Sequence, residues 1–449
     1  MSDFMGKTAR WGLLFAIVLL NIGVFAQEAD NEFSIDAKLN TRGEIRVGGY
    51  NENAVDNNDL IARFIMGQYR INIGYKRSDW LEVKLSPQFS GVWGQAGGTL
   101  SLAEGWLSMK HNKTGLFTKI GRQCFEYDDE RILGYDDWTM TAPTHDALKL
   151  GYEGHGHKVH LLLAYNQNAE NVSTGLNYYS GGIQPYKTMQ TLWYHYDTPN
   201  SLFGISLIGM NIGMESENPF YPNKTFFQQL FGTYMTLNPS IVNLEGSFYY
   251  QMGNEEHGTK LNAFMGAIKA KVTPCEIYNL YAGYDYLSGD DFPITSNGGF
   301  GLIYRKEARG FSPLFGSHHQ FYGAMDFFYV SNYVHNFSPG LQNIYIGGNV
   351  NPFTGFKINA AYHFYAISSN LKLHDQMLNK ALGHEIELNV GYTFAKFVKV
   401  SAGYSYMRGT ETMEILQHIS ENRRLHWGWL MLTVTPTFFT TTWNDKKKG

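Results

Sequence analysis

The chain has 449 residues, a formal net charge of -4 and 15% aromatic residues. Charged residues make up only 17%, against roughly 25% in a typical soluble domain, yet mean hydropathy is -0.29. This excludes a bundle of apolar membrane helices, and the acidic balance disfavours nucleic acid as a partner; it suits strands with one greasy and one wet face.

The N-terminus reads as an export signal. Lys7 and Arg10 precede the apolar stretch "WGLLFAIVLLNIGVF", and Val24 and Ala26 set up cleavage before Gln27. The stretch is shorter than the ~20 residues a spanning helix needs. The expected division is a signal peptide over 1–26, one domain over 27–443 and a polar tail over 444–449. Strand-like alternation starts near residue 34, which leaves no room for an N-terminal plug domain.

Further on, "KIGRQCFEYDDERILGYDDW" (119–138) concentrates charge in a chain otherwise sparing of it. In "FTKIGRQCF" the alternation is mixed and leaves the face of Arg122 open. "EYDDERILGYDDW" has too many consecutive polar residues for a strand and reads as an outer loop or an infolded constriction. It holds oxygen ligands but lacks the spacing of a calcium loop. "GHGHKVH" (154–160) invites a metal reading, yet Gly154 and Gly156 fit a hairpin tip better. Cys124 and Cys275 show no metal-ligand spacing; a bridge and two free thiols are both open. No motif calls for a cofactor.

The decisive pattern is period two. Val242, Leu244, Phe248, Tyr250 and Met252 alternate with Asn243, Glu245, Ser247 and Gln251. Residues 356–366, 386–394 and 398–406 repeat the pattern, with Lys357, Asn359, His363, Glu387, Asn389 and Lys399 on their wet faces. Such segments are strands with one apolar face, about ten residues long, which is the length that crosses a membrane when tilted. Short turns (238–240, 273–276, 351–355, 394–397) alternate with long polar loops (166–188, 213–228, 287–318, 367–383). Short turns at one end and long loops at the other mark an outer-membrane barrel. At roughly 23 residues per strand and connection the chain holds about 18 strands, or 16, since bacterial barrels are even-numbered. The last strand ends on the aromatic Trp443. The expected fold is all-β: a single transmembrane antiparallel β-barrel with short periplasmic turns and long extracellular loops.

No water pairs a free N–H in hydrocarbon, so the sheet must close on itself. A ring that wide is not filled by side chains and holds a conduit, open or plugged by loops.

Three blocks resemble the alginate export porins of Gram-negative outer membranes: "GRQ" (121–123) with "DERILGYDDW" (129–138) and "HDALKL" (145–150); "FGSHHQFYGAMDFFY" (315–329); and "HEIELNVGYTFAKFVKVSAGYSYM" (384–407). The resemblance implies an 18-stranded monomeric barrel that passes an anionic uronic-acid polymer, or a sugar acid, through a lumen lined with Arg and Lys. It carries Arg122 and Arg131 over as pore residues, with Arg70 a weaker match. Gly91 and Pro143 stand where members often have arginine. Lys149 and Arg305 extend the same set into a positive ladder, each exchanging water for a carboxylate of the passing solute. In the bland alternative each cation merely pairs with a lumenal acid. Asp326, His318 and His319 are structural as readily as functional.

No G-x-S-x-G elbow occurs, His363 has no evident nucleophile, and the many acids single out no hydrolytic pair. The expectation is a channel, not an enzyme, whose partners are outer-membrane lipid and an anionic saccharide or oligosaccharide. The competing reading is a secreted all-β glycan-binding or glycan-cleaving protein, in which the apolar strand faces would form a buried core.

Overall fold

The computed structural model describes residues 30–47, 61–135, 137–140, 143–166, 186–216, 224–255, 258–291, 293–294, 307–328, 338–373, 376–417 and 424–444. The proposed signal peptide lies outside them. Among the described residues one large antiparallel sheet closes on itself. Its strands are β1 (Asp30–Val47), β2 (Ile61–Arg77), β3 (Leu81–Val92), β4 (Thr99–His111), β5 (Leu116–Gln123), β6 (His145–Gly154), β7 (His157–Tyr165), β8 (Thr188–Asp197) and β9 (Phe203–Glu215). They continue as β10 (Thr225–Leu237), β11 (Val242–Asn254), β12 (Lys260–Cys275), β13 (Tyr278–Leu287), β14 (Leu341–Val350), β15 (Phe356–Ala366), β16 (Ala381–Ala395) and β17 (Val398–Gly409). The eighteenth, β18, comes in two stretches, Arg424–Val434 and Thr437–Asn444.

Each strand pairs with its sequence neighbours, and β18 returns to β1 through Val47↔His426 at one end and Asp30↔Asn444 at the other. Thr435 and Pro436 interrupt β18 as a bulge, where proline's missing N–H costs no ladder bond. The Pro436 carbonyl still accepts from the Ala37 N–H at 3.0 Å. Closure leaves no strand edge in the membrane.

The strands run from 8 residues in β5 to 18 in β1, so several exceed the expected ten. The loop expected over 213–228 is shorter than that, because β9 continues to Glu215 and pairs there with Thr225. The hairpin tip read in "GHGHKVH" is present, with His155 and Gly156 both at positive φ (54° and 81°), as a two-residue hairpin turn between β6 and β7 requires.

Most outward-facing side chains are apolar and exposed, Ile71, Leu85, Leu192, Ile268, Ile346 and Leu430 among them. Phe353, Tyr392 and Phe397 form part of an aromatic rim at the end carrying the short turns. This is the lipid-facing band and girdle of an outer-membrane barrel. It overturns the competing sandwich, because residues such as Ile386, Leu388 and Tyr404 are exposed rather than buried between sheets.

The true core lies inside the barrel. Leu162, Met189, Met210, Leu230 and Met265 point inward and pack against Phe125, Phe311 and Phe315. Those three aromatics belong to the segments after β5 and after β13. The barrel is therefore filled on one side by its own loops.

Candidate functional site

Two segments leave the rim and fold into the bore. The first comprises the described residues 124–135, 137–140 and 143–144. Asp128 and Glu130 adopt positive φ (58° and 64°), a conformation the short polar side chain of Asp tolerates better than most and the longer Glu does not favour. The Asp129 carboxylate accepts the Arg131 backbone N–H at 3.3 Å, and the Tyr127 N–H donates to the Leu133 carbonyl at 3.1 Å. The second spans 307–328 and turns at Leu314, Tyr322 and Asp326, all at positive φ.

The segments meet each other. The Phe315 N–H donates to the Ile132 carbonyl and the Gly134 N–H to the Phe315 carbonyl, both at 3.0 Å. Ser317 adds its N–H to the Glu130 carbonyl at 2.8 Å and its hydroxyl to Glu130 Oε2 at 2.6 Å. The approach is too close for a side chain at Gly316, where a Cβ would stand 2.2 Å from the Arg131 carbonyl oxygen.

Ion pairs fasten the first segment to the wall, and hydrogen bonds to wall carboxylates fasten the second. Arg131 Nη2 donates to Asp285 Oδ1 at 2.7 Å and its Nε to Asp129 Oδ2 at 2.9 Å, while Phe321 lies 4.2 Å beneath the guanidinium. Burial works against this charge, but Asp285, Tyr322 and Asp129 outweigh it and hold the guanidinium well above its ordinary pKa. Arg70 reaches Gln88 at 2.8 and 2.6 Å, Asp137 at 3.1 Å and the Tyr135 hydroxyl. Arg42 sits 3.7 Å over the Trp138 ring, and Trp138 stacks on His319 at 4.1 Å. Lys38 pairs with Asp137. On β16, Glu387 accepts the Ala324 N–H at 2.8 Å and Glu385 the Met325 N–H at 3.0 Å.

The residues expected to line the pore divide accordingly. Arg131 and Arg70 lie in the bore, both buried and both spent on holding the constriction. Lys149 faces the bore beneath the Phe117 and Tyr127 rings, at 5.5 and 5.1 Å. Arg305 lies outside the described residues. Arg122 is a correction: it shares its strand face with the exposed Leu116 and Ile120. It therefore points outward, where it binds Asp146 at 2.9 and 2.7 Å. Inward positions on β5 belong to Lys119 and Gln123. His318 and His319 form a short turn of the second segment, and His319 Nδ1 meets Asp326 Oδ1 at 2.8 Å. Cys124 and Cys275 are unbridged. Among the described residues no group of three or more His, Cys, Asp or Glu is placed to hold a metal.

Open space remains on the short-turn side of the constriction. A cavity of about 510 Å³ is lined by Arg131, Tyr234, Glu245, Lys269, Lys271 and Tyr345, among others, a volume within the ~300–1,000 Å³ usual for ligand sites. Lys269 stands 3.8 Å from Glu245. Lys271 has no ion pair or side-chain hydrogen bond among the described residues, and the buried Ser247 hydroxyl has no partner. Asn349 donates to Asn279 at 3.0 Å and Asn359 to Asn349 at 3.1 Å, an amide ladder across β13, β14 and β15. A second cavity of about 410 Å³ holds Lys149, Lys158, His160, Glu153 and Trp193. Sequence reasoning missed Lys269 and Lys271, although Lys269–Ala270–Lys271 ends a period-two run and that spacing puts both ammoniums on one face.

An 18-stranded closed barrel with an apolar outside and a bore narrowed by its own loops is the architecture of an outer-membrane porin. Solved porins share it. OccK2 (OpdF) of Pseudomonas aeruginosa superposes with a TM-score of 0.60 at 12% identity, covering 91% of this chain and 98% of that one. OccAB1 of Acinetobacter baumannii gives 0.59 at 12%, covering 91% and 97%. OpdK of Pseudomonas aeruginosa, solved with vanillate, gives 0.58 at 10%, covering 90% and 99%. No protein-family model and no curated protein matches the chain. Alginate export is thus carried by the sequence motifs alone. What the described residues of those motifs encode here is visible: 129–135 with 137–138, 315–328 and "HEIEL" are parts of the first infolded segment, of the second, and the stretch of β16 that anchors it.

Proposed function

We propose that the protein is an outer-membrane channel through which small, negatively charged solutes of sugar-acid size diffuse passively. One observation carries the reading. Below the constriction the bore presents Lys271 without a carboxylate partner, beside amides and tyrosine hydroxyls suited to polyols. A carboxylate entering there gains a charge-assisted hydrogen bond without breaking an existing ion pair. The neighbour OpdK was solved with vanillate, itself a carboxylate. A small solute fits better than a polymer, because the two infolded segments are bonded to each other across the bore. The channel is assigned to export-signal-dependent delivery, with residues 1–26 removed, and to function as a monomer that passes its solute unchanged.

The test is swelling of liposomes carrying the purified protein. A hexuronate is expected to enter faster than the uncharged hexose of the same ring. Equal rates for the two would sink the anion reading.

A further inference from the structure

The outward face of β16, β17 and β18 at the long-loop end carries an unusual row. Arg408 on β17 pairs in register with His384 on β16 and with Arg424 on β18. All three are exposed and share the faces of Ile386, Tyr404 and Leu430, which point to lipid. His426 lies two residues further along that face of β18, against Tyr404 and Tyr406. Like charges directly opposite on neighbouring strands repel. Among the described residues Arg408 and Arg424 have no ion pair or side-chain hydrogen bond that relieves this. Elsewhere on the outer wall the structure does supply relief: Arg122 has Asp146, and Lys260 has Glu307 beside it.

Position along the membrane normal decides what can neutralise the row. The aromatic rim at Phe394 and Phe397 marks one interface. From Phe397 to Arg408, at ~3.3 Å per residue and a tilt of about 40°, the strand climbs roughly 28 Å, close to the ~30 Å hydrocarbon thickness. Arg408 and its neighbours therefore stand at the headgroups of the outer leaflet. Guanidinium groups bind phosphate bidentately.

We propose that this row is a binding site for the phosphate groups of a phosphorylated glycolipid in the outer leaflet, with Arg408 and Arg424 sharing one phosphate and the two histidines flanking it. The site is separate from the lumen and does not depend on what the channel passes.

The test uses the full folded protein in detergent with a bis-phosphorylated glycolipid and the same lipid stripped of phosphate, reading the lipid that co-purifies. Wild type is expected to retain the phosphorylated form about tenfold more strongly, and R408Q/R424Q to lose that preference while Arg122→Gln keeps it. Equal retention of the two lipids by wild type overturns the proposal, whether or not the double variant folds. So does an R408Q/R424Q variant that folds and retains lipid like wild type. Displacement of the lipid by an equal concentration of inorganic phosphate would reassign the row to free phosphate and also overturn it.

Discussion

Arg131 Nη2 lies 2.7 Å from Asp285 Oδ1, and this contact fastens the first infolded segment to β13. Both side chains are nearly excluded from solvent, at 4% and 2% exposure. Removing one partner of such a pair leaves an uncompensated buried charge, a loss of about 3–5 kcal/mol. Arg131→Ala is expected to lower the thermal midpoint in detergent markedly, while an apolar replacement of Arg131 together with both its carboxylate partners, Asp285 and Asp129, recovers much of the loss. Unchanged melting of Arg131→Ala would show that the segment is held by other contacts.

The bridge between the infolded segments rests on Gly316. A Cβ there would stand 2.2 Å from the Arg131 carbonyl oxygen and 2.6 Å from the carbonyl carbon. Backbone atoms cannot swing aside as a flexible side chain does. Gly316→Ala is therefore expected to part the segments without opening the barrel. Single-channel recording should show a larger and noisier conductance, while the protein keeps its heat-resistant migration.

Asp128 gives the bore a pH response. Burial raises its carboxyl from an ordinary 3.8 to about 6, against hydrogen bonds from Ser206 and Trp193 that favour the charged form. The group is thus ionised above about pH 6 and neutral below it. Because the folded pKa exceeds the unfolded one, acidification through this window also favours the folded state. Asp128 lines both cavities, so its neutralisation makes each more positive. Anion preference is expected to rise between about pH 7.5 and pH 5, and Asp128→Asn to flatten that change. A wild-type preference that falls on acidification contradicts this assignment.

The lipid-facing band makes a separate prediction. Ile268 is 63% exposed near the middle of β12. A lysine in its place would face hydrocarbon and cost about 2–4 kcal/mol. Unfolding in lipid bilayers should register that loss, whereas the same change at the inward Ala267 should not follow the lipid scale.

Much of this fold was legible because a membrane barrel imposes a strict alternation. Val242–Met252 and Val398–Tyr406 have to place every second side chain in lipid, and the sequence obeys. The lumenal core was hidden for a related reason. In "HKVHLLLAY" Leu161 and Leu163 face lipid while Leu162 faces the infolded loops, so both faces are apolar and the period vanishes. The dense charge of 119–138 pointed to the constriction, since acids and arginines crowd where loops must be pinned inside a wet bore. The same signal misplaced Arg122. The glycine at 121 blurred the alternation, and the exposure of Leu116 and Ile120 on the same strand face, with the register to Asp146, shows that this arginine faces out. Lys269 and Lys271 lay unnoticed in a strand with no dense cluster of charge to draw attention.

The most direct measurement of the central claim is the reversal potential of single channels in a planar bilayer under a salt gradient. Wild type should prefer anions, Lys271→Glu should reduce or reverse that preference, and Arg122→Glu should leave it unchanged, because one side chain faces the bore and the other the membrane. Cation preference in wild type, or a response to Arg122→Glu with none to Lys271→Glu, would contradict the account.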